Sequence, residues 1–174
     1  KVLIANRGAI ARRLIRALGE LGLESIVLYS DADAGAPYLT EASSAIRMEG
    51  NLPSDTYLNA SAILEIAKKH KVDAIHPGYG FLSENTDFAR QASESGISFI
   101  GPEPRLIERM GEKVNGRREM EGYGFPVFPG SQALSIDMNL EELTSAIGFP
   151  LVVKPSGGGG GIGMQVVNRQ EELA

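Results

Sequence analysis

Lys1-Val-Leu-Ile-Ala-Asn-Arg-Gly-Ala-Ile10, with the residues that follow it to Gly22, is the stretch whose reading decides the fold. Lys1 to Ala5 is a short apolar run of the kind found in a strand buried on both faces. Apolar residues then recur at Ile10, Leu14, Ala17, Leu18 and Leu21, a helical spacing, and Gly22 is a natural helix stop. The pattern repeats downstream. Ser25 to Tyr29 reads as a second buried strand. Ala60 to His70 reads as a helix with Ile63, Leu64, Ile66 and Ala67 inward, and Val72 to His76 as the strand after it. Asn85 to Ser95 is a helix capped by Asn85, followed by a short strand at Ile97 to Ile100. Strands alternating with helices predict an α/β fold, a parallel sheet covered by helices on both faces.

Composition narrows the function. The 174 residues carry 17 Lys and Arg against 22 Asp and Glu, a formal charge of −5, which disfavours a general nucleic-acid binder. Hydrophobic content of 43% is that of a globular chain. No apolar run reaches the ~18–20 residues of a membrane span, and no signal segment is present, so no membrane role is expected. Cys is absent, which removes thiolate chemistry and fits a reducing, cytoplasmic setting. The opening at Lys1 without Met and the close on an unfinished helical turn, Arg169 to Ala174, give the expectation of an N-terminal piece of something larger.

The texture changes after Gly101-Pro102. A polar helical stretch from about Arg105 to Glu121 leads into the connector Gly124-Phe-Pro-Val-Phe-Pro-Gly130. Asn139 to Ile147 reads as a short helix, and Pro150 to Lys154 and Ile162 to Val167 as strands. The expected division is residues 1–110 and 111–174. Between the last two strands lies Ser156-Gly-Gly-Gly-Gly-Gly161, which fits a hairpin loop or, on composition alone, a flexible linker. As a loop it offers backbone N–H groups that can cradle an anion, and Lys154 before it adds a point charge. It is no P-loop, which places Lys after the glycines and opens a helix. The first strand-to-helix turn, with Gly8 alone, also lacks the glycines of a dinucleotide fingerprint. Asp31 after the second strand could imitate a ribose-binding acid or be a polar loop residue.

Three segments, in order, resemble one family. Lys1 to Ala11 is similar to the opening of biotin carboxylases, His76-Pro-Gly-Tyr-Gly-Phe-Leu-Ser-Glu-Asn85 to their signature loop, and Lys154 to Met164 to their glycine-rich lid. Phe99-Ile-Gly-Pro102, Met110-Gly-Glu-Lys113 and Val127-Phe-Pro-Gly-Ser131 fit as well, so the resemblance covers essentially the whole chain. It implies a Rossmann-like (pre-ATP-grasp) domain followed by the start of an ATP-grasp domain with a Gly-rich β-hairpin lid. It also implies a ligase that uses ATP, bicarbonate and Mg²⁺ or Mn²⁺ to carboxylate protein-linked biotin through carboxyphosphate.

By this resemblance Lys113 and Lys154 contact ATP phosphates, Gly157, Gly158, Gly159, Gly160, Gly161 and Gly163 form the lid, and Met164 lies beside the adenine. Tyr79 and Gly80 lie beside biotin, and Arg16 and Glu20 at a homodimer interface. Implied partners are a biotin carboxyl carrier protein or domain and a carboxyltransferase, as in acetyl-CoA carboxylase of fatty acid biosynthesis or in pyruvate-type enzymes. Metal ligands and catalytic residues are expected beyond this segment, and none is assigned within it.

Plainer roles stand beside these. Tyr79 could be a loop aromatic packed on the sheet edge and Lys113 a solvated helix residue. His76 is expected to be a hydrogen-bonded structural group. Glu84 could complement a helix dipole, and Arg16 and Glu20, four apart on one helix face, could form a weak surface ion pair. The chain departs from the family pattern at Ala9, where Glu is usual, at Pro155, where Ala is commoner, and at Ile162, where the lid usually carries a basic residue. Another ATP-grasp ligase, or a non-catalytic nucleotide-binding or assembly module, are the alternative readings.

Overall fold

The computed structural model describes residues 1–135, 137–156 and 161–173. Its contacts divide the chain into two compact units, Lys1–Ile107 and Glu108–Ala174. The first unit contains a five-stranded sheet of β1 (Val2–Ile4), β2 (Ser25–Tyr29), β3 (Ser44–Arg47), β4 (Ala74–His76) and β5 (Ser98–Phe99). All pairs are parallel, in the order β3-β2-β1-β4-β5. Its helices are α1 (Gly8–Glu20), α2 (Ala60–Lys69) and α3 (Thr86–Glu94).

The continuous apolar character of β1 follows from its central place, with a hydrophobic layer on either side. Val2 and Ile4 point to the layer of α1, with Ala11, Leu14, Ile15 and Leu18. Leu3 and Ala5 point the other way, into a cluster with Ile63, Leu64 and Ala67 of α2 and Phe88 and Ala92 of α3. Each helix ends where its sequence punctuation stands. Asn59 and Asn85 cap α2 and α3 by accepting from the Ala62 and Phe88 N–H groups. Beyond α1, Gly22 turns the chain at φ 69°.

Strand β3 is an addition to the elements expected from the sequence. It is an edge strand with only Ile46 half-buried, so its sequence lacks the apolar signal of the inner strands. The connection from β2 to β3 carries short 3-10 turns at Asp31–Asp33 and Pro37–Thr40 in place of a crossover α-helix.

In the second unit, the single helix expected over Arg105–Glu121 is two, α4 (Pro104–Gly111) and α5 (Lys113–Gly122), the first straddling the division between units. The break falls at Glu112, whose backbone is extended. It lets α5 turn back on α4, so close that a Cβ at Gly116 would stand 3.3 Å from the Met110 carbonyl oxygen. Helix α6 (Leu140–Ile147) is capped by Asn139, and β6 (Leu151–Val153) pairs antiparallel with β7 (Gln165–Val167). The last strand is shorter than expected, because residues 161–163 form a turn with Gly161 and Gly163 at φ 77° and 73°.

Phe88 is fully buried and meets the Phe99 ring edge-on at 6.0 Å. Phe88→Ala is expected to cost about 3–5 kcal/mol of stability, read as a lower urea midpoint with an unchanged slope.

Candidate functional site

In an open parallel sheet, ligands collect outside the carboxyl ends of the strands where the strand order reverses. Here that point lies between β1 and β4. Asn6, the second residue after β1, is 1% exposed. Its Nδ2 donates to the carbonyls of Pro77 at 2.7 Å and Tyr79 at 2.9 Å, and its Oδ1 accepts from the Arg7 N–H at 2.9 Å. The approach requires glycine at position 78: φ is 67°, and a Cβ would stand 2.6 Å from Asn6 Nδ2 and 2.7 Å from Ile10 Cγ2. His76 Nδ1 accepts from the Gly78 N–H at 3.0 Å, the structural role expected of it. Burial, with the charge of Arg13, holds the imidazole below the ordinary His pKa, so the neutral, accepting form is favoured. Tyr79 and Gly80 stand together and exposed at the tip of this loop.

Arg7 reaches the opposite way. Its Nε donates to Asp33 Oδ2 at 2.6 Å, and Nη2 contacts the other carboxylate oxygen. Asp33 is buried and also accepts from the Tyr57 hydroxyl at 2.6 Å and the Ser30 hydroxyl at 3.2 Å. The hydrogen bond from Arg7 is the largest cause holding this carboxyl below its ordinary pKa, against the opposing effect of burial. Burial raises the Tyr57 phenol, which keeps it a donor to Asp33. The guanidinium also lies 5.7 Å from the centre of the Tyr57 ring.

Sequence reasoning misses this buried acid and singles out Asp31. Asp31 is engaged as a loop residue, with Arg47 Nε at 2.6 Å and the Gly50 N–H at 3.2 Å. Two aspartates so close in sequence look alike, and only burial separates them.

In the second unit the β6–β7 hairpin gathers several of the expected nucleotide residues. Val153 pairs with Gln165, which brings Lys154 and Met164, one step further on, to the same end. The turn at that end is tight: the Met164 N–H donates to the Gly161 carbonyl at 3.2 Å, and a Cβ at Gly163 would stand 2.9 Å from Pro155 Cγ. Lys154 and Met164 are exposed there. Gly157, Gly158, Gly159 and Gly160 lie outside the described residues. Lys113 is exposed at the start of α5.

Arg16 and Glu20 lie on the exposed face of α1, where with Arg12 and Arg13 they line a shallow concavity. The ion pair considered between them is replaced: Arg16 pairs with Glu41 at 3.5 Å, which Arg12 also engages at 2.6 Å. Glu84 lies outside α3, and the acid in that helix's first turn is Asp87. Among the described residues no group of three or more His, Asp or Glu side chains is placed to hold a metal ion.

Residues 1–107 match the family described as biotin carboxylase, N-terminal domain. The chain belongs to the biotin carboxylase family. Residues 112–174 match a second family, described as carbamoyl-phosphate synthase L chain, ATP binding domain. Biotin carboxylase 2 of Bacillus subtilis is 48% identical over 174 residues, 99% of this chain and 39% of that protein. Pyruvate carboxylase of the same organism is 46% identical over 175 residues, covering 99% of this chain and 15% of its own length. The biotin carboxylase domain dimer of Hydrogenobacter thermophilus 2-oxoglutarate carboxylase, solved with MgADP, ADP and bicarbonate, superposes with a TM-score of 0.91 at 44% identity, covering 99% of this chain and 38% of that one. The chain thus spans less than two fifths of the length of these biotin carboxylase relatives. Within the family fold, Asn6 and Arg7 take the crevice that a dinucleotide-binding sheet leaves open for its ligand.

The Arg7–Asp33 pair has a pH signature. The folded Asp33 pKa lies below the unfolded value of about 3.9. Its stabilisation is therefore full above that value and fades as pH falls through the folded pKa. Asp33→Asn is expected to cost about 1.5–3 kcal/mol at pH 7, with the gap to wild type narrowing below about pH 4. Urea melts of both proteins across pH 3–7 check this.

Proposed function

We propose that the chain forms the N-terminal part of an ATP-dependent biotin carboxylase, acting in the first half-reaction of a biotin-dependent carboxylase. ATP phosphorylates bicarbonate to carboxyphosphate and leaves as ADP; carboxyphosphate then breaks down to CO₂ and phosphate, and the CO₂ bonds to N1 of protein-linked biotin as the N1 proton passes to the released phosphate. The observation that carries this reading is the match of 99% of the chain, at 48% identity, to a biotin carboxylase. In this reading Lys154 and Lys113 hold ATP phosphates, while Gly161 and Gly163, with Gly157 to Gly160, close over the triphosphate. Closure excludes water from a labile intermediate. Met164 borders the adenine, and Tyr79 and Gly80 border biotin. The α1 face with Arg16 and Glu20 meets a second copy, and the carrier protein and carboxyltransferase act as partners.

The match of residues 112–174 to a carbamoyl-phosphate synthase ATP-binding domain favours a second reading, another ATP-grasp ligase. The match of residues 1–107 argues against it, since that unit holds the Tyr79 loop.

The test places this chain in Bacillus subtilis biotin carboxylase 2 in exchange for the matching stretch. Phosphate release that needs both bicarbonate and biotin is expected, and its absence in a folded protein would overturn the reading. Lys154→Ala in that protein is expected to weaken nucleotide binding by about 1.5–3 kcal/mol, the loss of one charge-assisted contact. Calorimetric titration measures it, and unchanged affinity removes Lys154 from the site.

A further inference from the structure

We propose that Asn6 is a positioning residue for the biotin-side loop, its carboxamide fixing the main chain of residues 77–79 so that the Tyr79 ring is presented from a rigid base. The inference rests on the proposed function for the identity of what Tyr79 meets. The geometry itself stands independently of it.

Tyr79 combines an exposed side chain with an anchored backbone. The residue is 74% exposed, while its own carbonyl is held by Asn6 Nδ2 at 2.9 Å. The flanking main chain is anchored residue by residue. Pro77 is buried and its carbonyl takes the other Asn6 hydrogen. The Gly78 N–H is taken by His76, and the Gly80 carbonyl accepts from the Ser83 N–H at 2.9 Å. Leu82 is buried in the core and Asn85 caps α3. Between these anchors Gly78, Gly80 and Phe81 all have positive φ, 67°, 71° and 43°. A phenylalanine in that region is strained, and such strain persists only where the surroundings impose it. Phe81 packs against the core cluster, its ring 5.2 Å from that of Tyr57.

Asn6 supplies what no other described residue gives this loop. Two carbonyls converge on one atom, so that atom must be the NH₂ and both its hydrogens are used. An aspartate of the same shape would set an acceptor against two acceptors. A loop held this way has its ordering cost met before a ligand arrives, so the ring adds contact area at little entropic loss. An unanchored Tyr79 would have to be ordered on each binding event.

Two measurements test this. In the Bacillus subtilis protein carrying this chain, Asn6→Asp is expected to raise the KM for free biotin by about tenfold or more, the scale for losing one to two hydrogen bonds, with nucleotide affinity within about twofold of wild type. Ile63→Val, in the core at α2, lowers stability while leaving the biotin KM unchanged. On the chain itself, Asn6→Asp is expected to speed amide exchange at Gly78 and Ser83 beyond the change in global stability, and Ile63→Val is not. Should Asn6→Asp not fold, Asn6→Ser removes the reach to both carbonyls without reversing polarity, and the same changes are expected. An unchanged biotin KM, an equal rise in Ile63→Val, or unchanged exchange at Gly78 and Ser83 would overturn the proposal. If the unsubstituted exchanged protein lacks activity, the functional reading fails while the exchange measurement still decides the role of Asn6.

Discussion

Two adjacent side chains, Asn6 and Arg7, join the loops that follow three parallel strands. Asn6 bonds to the loop after β4, and Arg7 to Asp33 in the segment after β2. Both leave from the short turn between β1 and α1, at the centre of the sheet. The strands β1, β2 and β4 end at Ile4, Tyr29 and His76, and the two side chains carry the connection beyond those ends. The turn therefore converts three separate strand ends into one surface.

This also accounts for the economy of glycine there. A dinucleotide-binding turn keeps side chains away so that a pyrophosphate can approach the backbone. Here that volume holds a carboxamide and a guanidinium, each with its partners inside the protein. The glycine that matters is on the facing loop, at Gly78, where a side chain would displace Asn6. The sheet thus has the topology of a nucleotide-binding fold but serves as a frame for the Tyr79 loop. The residues proposed to hold the nucleotide fall in the other unit, at the start of α5 with Lys113 and on the hairpin with Lys154 and Met164.

The two units obtain their order differently. The first rests on two hydrophobic clusters, one on each face of the sheet, containing most of the fully buried side chains. The second relies more on local devices: the Asn139 cap, the close contact of Gly116 with α4, and Arg117 donating to the carbonyls of Phe128 and Gly130 at 3.1 and 2.6 Å. Phe128, Ile162 and Val166 remain exposed.

Apart from edge strand β3, the strands and helices of the first unit are legible in the chain because burial on both faces imposes a continuous apolar run, and burial on one face imposes a helical period. The Asn caps at 59, 85 and 139 are legible in principle, since that chemistry is local, although the sequence reading identifies only Asn85 as one. The His76–Asn85 loop and the glycine run are legible as motifs that resemble those of a family, because each is a contiguous stretch of sequence. Edge strand β3 is not legible, since an exposed edge carries no pattern. The break at Glu112 and the choice of Asp33 over Asp31 are not legible either. Nor is the use of Asn6 as the link to Pro77 and Tyr79, some seventy residues away in sequence. Each of these depends on which groups the folded sheet brings within about 3 Å of one another. That proximity is a property of the tertiary structure, because hydrogen bonds between distant segments leave no periodicity in the chain.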